Sequence, residues 1–152
     1  MLGRFLPLLA FLPALGAQTQ PIEVTASIAP IDPTKWVGFK EGRGLFMFVR
    51  NTSGRDIQGF ALEARFTDPQ TGKPLGGHRG HSEFNPRSNG LLAPGATKPL
   101  VRPYPVPVTA SGAPGAYAFS VDLVIFEDGT TWGPGRTPMA RKLLQQIAHP
   151  SR

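Results

Sequence analysis

The chain has no cysteine. That absence removes disulfide staples, thiolate catalysis, cysteine-ligated zinc and lipid anchoring through an N-terminal thiol. There is no second long apolar run after the first seventeen residues, so nothing downstream reads as a membrane span. There is also no dense block of one charge. Lys and Arg number 16 against 10 Asp and Glu, a net charge of +6, but the basic residues are scattered from Lys35 to Arg141 with no interleaved aromatic ladder. Nucleic-acid binding therefore gains no support. A scattered positive surface suits an anionic envelope or polymer, or simply keeps the protein soluble. Catalytic signatures are missing too. No serine stands in G-x-S-x-G, and GGHRG (76–80) lacks the lysine and the strand–helix flanks of a phosphate loop.

What is present begins with MLGRFLPLLAFLPALGA. Arg4 is a short positive region, residues 5–17 are uncharged and almost wholly apolar, and Ala14, Gly16 and Ala17 close the run with small side chains. That layout predicts a secretory signal peptide over 1–17, cut after Gly16 or Ala17. The run is short for a bilayer span of roughly 20 residues, and Pro7 and Pro13 disfavour a spanning helix. An uncleaved anchor is the alternative. Cleavage leaves about 135 residues, enough for one domain with a real core. The expected location is secreted or periplasmic, in a bacterial setting, with no transmembrane segment once the signal is removed.

Glycine (18) and proline (17) are abundant, and they punctuate alternating apolar runs. That is the signature of an all-β domain with many turns. Ile22, Val24, Ala26 and Ile28 alternate with polar residues as far as Pro30. GLFMFVRN (44–51) is apolar on both faces and predicts a strand covered on both sides. In IQGFALEARFTD, Phe60, Leu62, Ala64 and Phe66 share the face for a core, and Ala61, Glu63, Arg65 and Thr67 share the face for water. Residues 75–90 lose periodicity and read as the longest loop. A strand is expected through Leu100 and Val101 after the Pro94–Gly95 turn. RPYPVPV (102–108) reads as a polyproline-like edge or connector.

AYAFSVDLVIFEDGTTWG (116–133) predicts a hairpin. Tyr117, Phe119, Val121, Leu123 and Ile125 are expected on one face, and Asp128–Gly129 form a type I′ turn. Glu127 and Asp128 then serve the turn, because neighbours on a strand point to opposite faces and cannot converge as a catalytic dyad. Thr137 followed by Pro138 opens a helix as cap and first residue. Met139, Leu143, Leu144 and Ile147 form its apolar stripe, and His149–Pro150 ends it. The helix is expected to dock on the sheet or on a partner; a membrane surface is the other reading. The organisation is therefore a signal peptide (1–17), a β-sandwich domain (18–136) and a C-terminal helix and tail (137–152). The fold class is all-β, an immunoglobulin-like antiparallel β-sandwich of about seven strands with a short C-terminal amphipathic helix.

Two stretches carry a resemblance. FMFVRNTSGRDIQGFALEARFTDPQTGK and LLAPGATK are similar to the small immunoglobulin-like domains of bacterial exported proteins, including the FxLYD type. The chain departs from that type at Phe66-Thr67-Asp68, where Leu-Tyr-Asp is the pattern. VDLVIFEDGTTWG resembles the closing hairpin of secreted proteins found in soil acidobacteria. The resemblance implies an exported sandwich and brings no catalytic residue with it.

Candidate binding residues are few. His78 and His81, with Glu83, place two imidazoles and a carboxylate on one stretch, a donor set suited to zinc or copper; the plain alternative is a solvated polar loop. Trp36 and Trp132, with Tyr104 and Tyr117, could stack carbohydrate on flat apolar faces; packing is the plain alternative. Asn51-Thr52-Ser53 is formally a glycosylation sequon. The expected function is an exported, non-enzymatic binding or interaction module without a cofactor, whose partner is a protein or envelope component. The alternative is a small metal- or carbohydrate-binding domain using residues 75–90 or the exposed aromatics.

Overall fold

The computed structural model describes residues 18–76, 79–86, 90–100 and 102–149. The expected signal peptide, His78 and the tail at 150–152 lie outside them. Among the described residues are eight strands and one helix: β1 (Ile22–Pro30), β2 (Arg43–Asn51), β3 (Ile57–Thr67), β4 (Arg79–Phe84), β5 (Thr97–Pro99), β6 (Tyr104–Pro105), β7 (Ala116–Phe126), β8 (Thr131–Trp132) and α1 (Pro138–Ala148). They form two antiparallel sheets. One runs β1–β2–β5, with β6 also on β2; the other runs β4–β3–β7–β8. The architecture is an all-β sandwich with a C-terminal helix. It has one strand more than the sequence suggests.

The core between the sheets comes from period-two patterning. Leu45, Met47 and Val49 of β2 face Phe60, Leu62, Ala64 and Phe66 of β3, with Val121, Val124 and Phe126 of β7 beside them. All are buried, and each large one contributes about 1.5–3 kcal/mol through removal from water. The opposite face of β2 is only partly covered. Phe46 lies against Trp36, ring centres 6.4 Å apart, and Phe48 is 40% exposed. The helix covers the other sheet instead.

The alternation expected along β7 breaks at Asp122. Ala61 pairs with Leu123 and Leu62 with Val121, so Asp122 is the unpaired residue of a β-bulge. A bulge re-aims the side chains after it. Phe119 and Val121 therefore face the main core together with Val124 and Phe126, whereas Leu123 and Ile125 turn to the outer face. There they meet Ala61, Ala140 and Leu143 in a second, smaller core beneath α1. Ala61, expected in water, is consequently buried. The helix opens as expected: Thr137 Oγ1 accepts from the Ala140 N–H at 3.2 Å, and Pro138 begins the first turn.

Asp122 also anchors the approach to the helix. Its carboxylate accepts from the backbone N–H of Arg136 (3.1 Å) and of Thr137 (2.7 Å), and its carbonyl accepts from Gly135 N–H at 2.9 Å. Burial alone would raise its pKa, but hydrogen bonding by Thr137 and Arg136 outweighs that and holds it low. Gly133 has φ +96°, and a Cβ there would sit 2.5 Å from the Asp122 carbonyl oxygen. No other residue type fits without moving the chain.

Two further expectations are corrected. Residues 75–90 are not one long loop, because β4 pairs with β3 through them. Its inward positions are His81 and Glu83 rather than apolar residues, which is why no hydrophobic period marks it; inward charge is a common device on edge strands. The hairpin turn is not type I′. Among the described residues only glycines have positive φ, so Asp128 is not in the left-handed region; Gly129 is, at φ 80°. Gly129 N–H donates to Phe126 O and Phe126 N–H to Thr130 O, both at 2.9 Å. This is a three-residue loop over 127–129, a type I turn closed by a left-handed glycine. The strand after Pro94–Gly95 stops at Pro99, with Leu100 buried just beyond it.

Candidate functional site

One end of the sandwich carries a hollow of about 460 Å³. Its walls are the segment before β1 (Gln18, Thr19, Gln20, Pro21), the turn after β2 (Thr52, Ser53, Arg55) and the β7–β8 hairpin (Phe126, Thr130, Thr131, Trp132). The volume falls within the range of small-molecule sites, roughly 300–1,000 Å³.

The turn after β2 is held by Asn51, which is fully buried. Its Nδ2 donates to Arg55 O (2.7 Å) and Leu92 O (2.9 Å). Its Oδ1 accepts from Ser53 N–H (2.9 Å) and Ser53 Oγ (2.7 Å). Every hydrogen-bonding group of that amide is therefore engaged, and the sequon is closed off in the folded chain. The adjacent Thr52 N–H donates to Pro21 O at 2.9 Å and its hydroxyl to Gln20 O at 3.3 Å. These bonds lash the segment before β1 to the turn.

Arg55 reaches across to the hairpin. Its Nη2 lies 2.6 Å from Asp128 Oδ2 and donates to Thr130 Oγ1 at 2.7 Å. The guanidinium also sits 4.0 Å from the centre of the Phe126 ring, a cation–π contact. Asp128 Oδ1 accepts from the Thr130 hydroxyl (2.6 Å) and N–H (3.0 Å). Those Thr130 bonds, then Arg55, hold its pKa low. Just outside, a hydrogen bond with Asp56 raises the pKa of Glu127, and the neighbouring carboxylates add to it.

Trp132 pairs with Val124 across the hairpin, and part of its ring packs on the main core. Its Nε1–H donates to Gln18 O at 3.3 Å. The indole is thus fixed at both ends, with the remainder in the wall of the hollow. Trp36 is elsewhere, in the loop after β1, over Phe46. Tyr104 donates to Gly80 O across the sheets at 3.0 Å, and the Tyr117 hydroxyl is 3.4 Å from Ala26 O. The four aromatic residues are dispersed and form no common platform.

The histidine stretch becomes a seam between the sheets. Phe60 pairs with Glu83 and Leu62 with His81, so both polar side chains share the inward face with the core. The imidazole stacks on Phe60, ring centres 6.2 Å apart. His81 Nε2 is 3.0 Å from Glu83 Oε1, and Lys98 of β5, opposite Val49, donates its Nζ to Glu83 Oε2. Burial would raise the Glu83 pKa, but hydrogen bonds from His81 and Lys98 outweigh it and lower it. A metal at Glu83 would have to displace the lysine. Among the described residues no group of three or more His, Asp or Glu could hold an ion; His78 is not among them.

The sequence reading missed Asn51, Arg55, Lys98 and Asp122. The Asn-x-Ser after a strand and the Gly-Pro-Gly before the helix were the available signals for Asn51 and Asp122. Arg55 and Lys98 meet their partners 73 and 15 positions away, which no local pattern marks. No family model matches the chain, and no curated protein and no solved structure matches it either.

Proposed function

We propose that this chain is an exported, non-enzymatic β-sandwich that serves as a binding module in the bacterial periplasm or outside the cell. The hollow beside Trp132 is its contact site, and a protein or another envelope component is its partner. The observation that carries this reading is the make-up of the hollow. It is a preformed depression with a fixed indole, an amide- and hydroxyl-rich wall, and no carboxylate or imidazole among its described lining residues. General acid–base chemistry needs such groups within hydrogen-bond reach of a substrate; recognition does not. Export rests on the leader-like first seventeen residues. Among the described residues no helix is long and apolar enough to cross a membrane.

The test has two parts. The full chain, expressed in a Gram-negative host, is expected in the periplasmic fraction with a new N-terminus at Ala17 or Gln18. The processed protein, immobilised, is expected to retain an envelope component that Thr19→Arg, which sets a long side chain in the exposed wall of the hollow, fails to retain. Full-length protein in the cytoplasm overturns export. Retention that is absent, or indifferent to Thr19→Arg, overturns the assignment of the site.

A further inference from the structure

We infer that the hollow takes a neutral saccharide, with Trp132 as the plate on which one sugar ring stacks. The inference rests on the binding reading above and names the chemical class of its ligand. Three observations lead to it.

The first is the plate. A flat ring recognises the apolar face of a sugar only if it is held still and partly open. Trp132 meets both conditions: its Nε1–H is tied to Gln18 O, one part rests on the core, and the residue remains half-buried in the wall. Phe126, the other aromatic in the wall, is unavailable because Arg55 covers it. There is thus one plate.

The second is the supply of polar groups. The described residues around the indole include Thr19, Thr52, Ser53 and Thr130, which bear hydroxyls, and Gln18 and Gln20, which bear amides. Several are already engaged, as described. The Gln18 amide and the Thr19 hydroxyl have no hydrogen-bond partner among the described residues. Each can both donate and accept. A ligand of many hydroxyls, which also both donate and accept, is the chemical complement of such a wall.

The third is charge. The described lining holds one ionised side chain, Arg55, and it is already matched by Asp128 at 2.6 Å. A carboxylate or phosphate ligand would have to break that pair and face Asp56, Glu127 and Asp128 close by. The described side chains of the hollow therefore leave an anion no unpaired cation to meet, although the chain as a whole carries +6.

The probes are maltohexaose, cellohexaose and chitohexaose as neutral ligands and hexagalacturonate as the acidic counterpart. The processed protein is titrated by calorimetry, and a Trp36→Phe form reports Trp132 fluorescence alone. At least one neutral oligosaccharide is expected to give saturable heat and a saturable change in Trp132 emission. Its affinity should be the same at low and high salt and weaker by at least about tenfold in Trp132→Ala. Thr19→Arg, exposed in the wall and away from the core, gives the same loss if Trp132→Ala fails to fold. No saturation by any neutral probe overturns the inference. So does salt-sensitive binding of hexagalacturonate alone, which would mean that Arg55 leaves Asp128 for the ligand. Retention of an envelope component that depends on the hollow, with no response to sugars, removes the saccharide and leaves the binding module. Loss of both removes the two readings together.

Discussion

Two charged clusters join distant parts of this chain, and they do so in different surroundings. At the seam, Glu83 lies between Lys98 and the His81 ring that stacks on Phe60, with only 13% of its side chain exposed. At the mouth of the hollow, Arg55 and Asp128 are 42% and 54% exposed. Both pairs have close contacts, so distance alone does not separate them. Water does. A half-buried pair leaves an uncompensated charge when one partner is removed. An exposed pair is screened and its members are solvated when parted. The seam is therefore a structural closure of the open side between β4 and β5, whereas the mouth pair contributes little to stability.

The largest effect is expected from below the seam. Phe60→Ala removes the ring that His81 stacks on and opens a cavity, so urea denaturation should show a loss of about 3–5 kcal/mol. Glu83→Gln strips the counter-charge from Lys98 and is expected to destabilise by about 1–3 kcal/mol in the same assay. Replacing the pair together by Glu83→Gln and Lys98→Met should recover part of that loss, since no charge is then stranded. A double change as damaging as the sum of the single ones would deny that the two groups act as a pair.

Acid sharpens the contrast. Glu83 and Asp122 have folded pKa values below their ordinary ones, so the unfolded chain binds their protons more tightly. Their contribution is complete above the ordinary carboxylate pKa of about 4 and is lost as pH falls through the lower folded values. Glu127 has the opposite sign: its pKa is raised, and protonation relieves repulsion from Asp56. Thermal melts from pH 7 to pH 3 should fall for the wild type and fall less steeply for Glu83→Gln. Equal slopes would place the acid sensitivity elsewhere. The smallest effect is expected at the mouth. Arg55→Met should change stability by no more than about 1 kcal/mol, with the difference shrinking in high salt.

The same contrast explains what the sequence disclosed. The apolar alternation of β1, β2 and β3 was legible because each strand sets one face on a core, and the Thr137–Pro138 start of α1 is a local pattern. The β4 strand was hidden because its inward residues are His81 and Glu83, made tolerable by Lys98 from the other sheet. The bulge at Asp122 was hidden because bulges depend on register between strands, not on one strand's composition. At the hollow, Trp132 and the hairpin were visible. The wall formed by Gln18 to Pro21 was not, since its place depends on bonds from Thr52 and Trp132.

The most direct test of the binding site is the pair of indole N–H signals in a nitrogen–proton correlation spectrum of the processed protein, recorded with and without soluble envelope extract. Movement of the Trp132 signal, which reports the Nε1–H bond to Gln18, with the Trp36 signal unchanged, is the predicted result. Movement of Trp36 with Trp132 unchanged would contradict it.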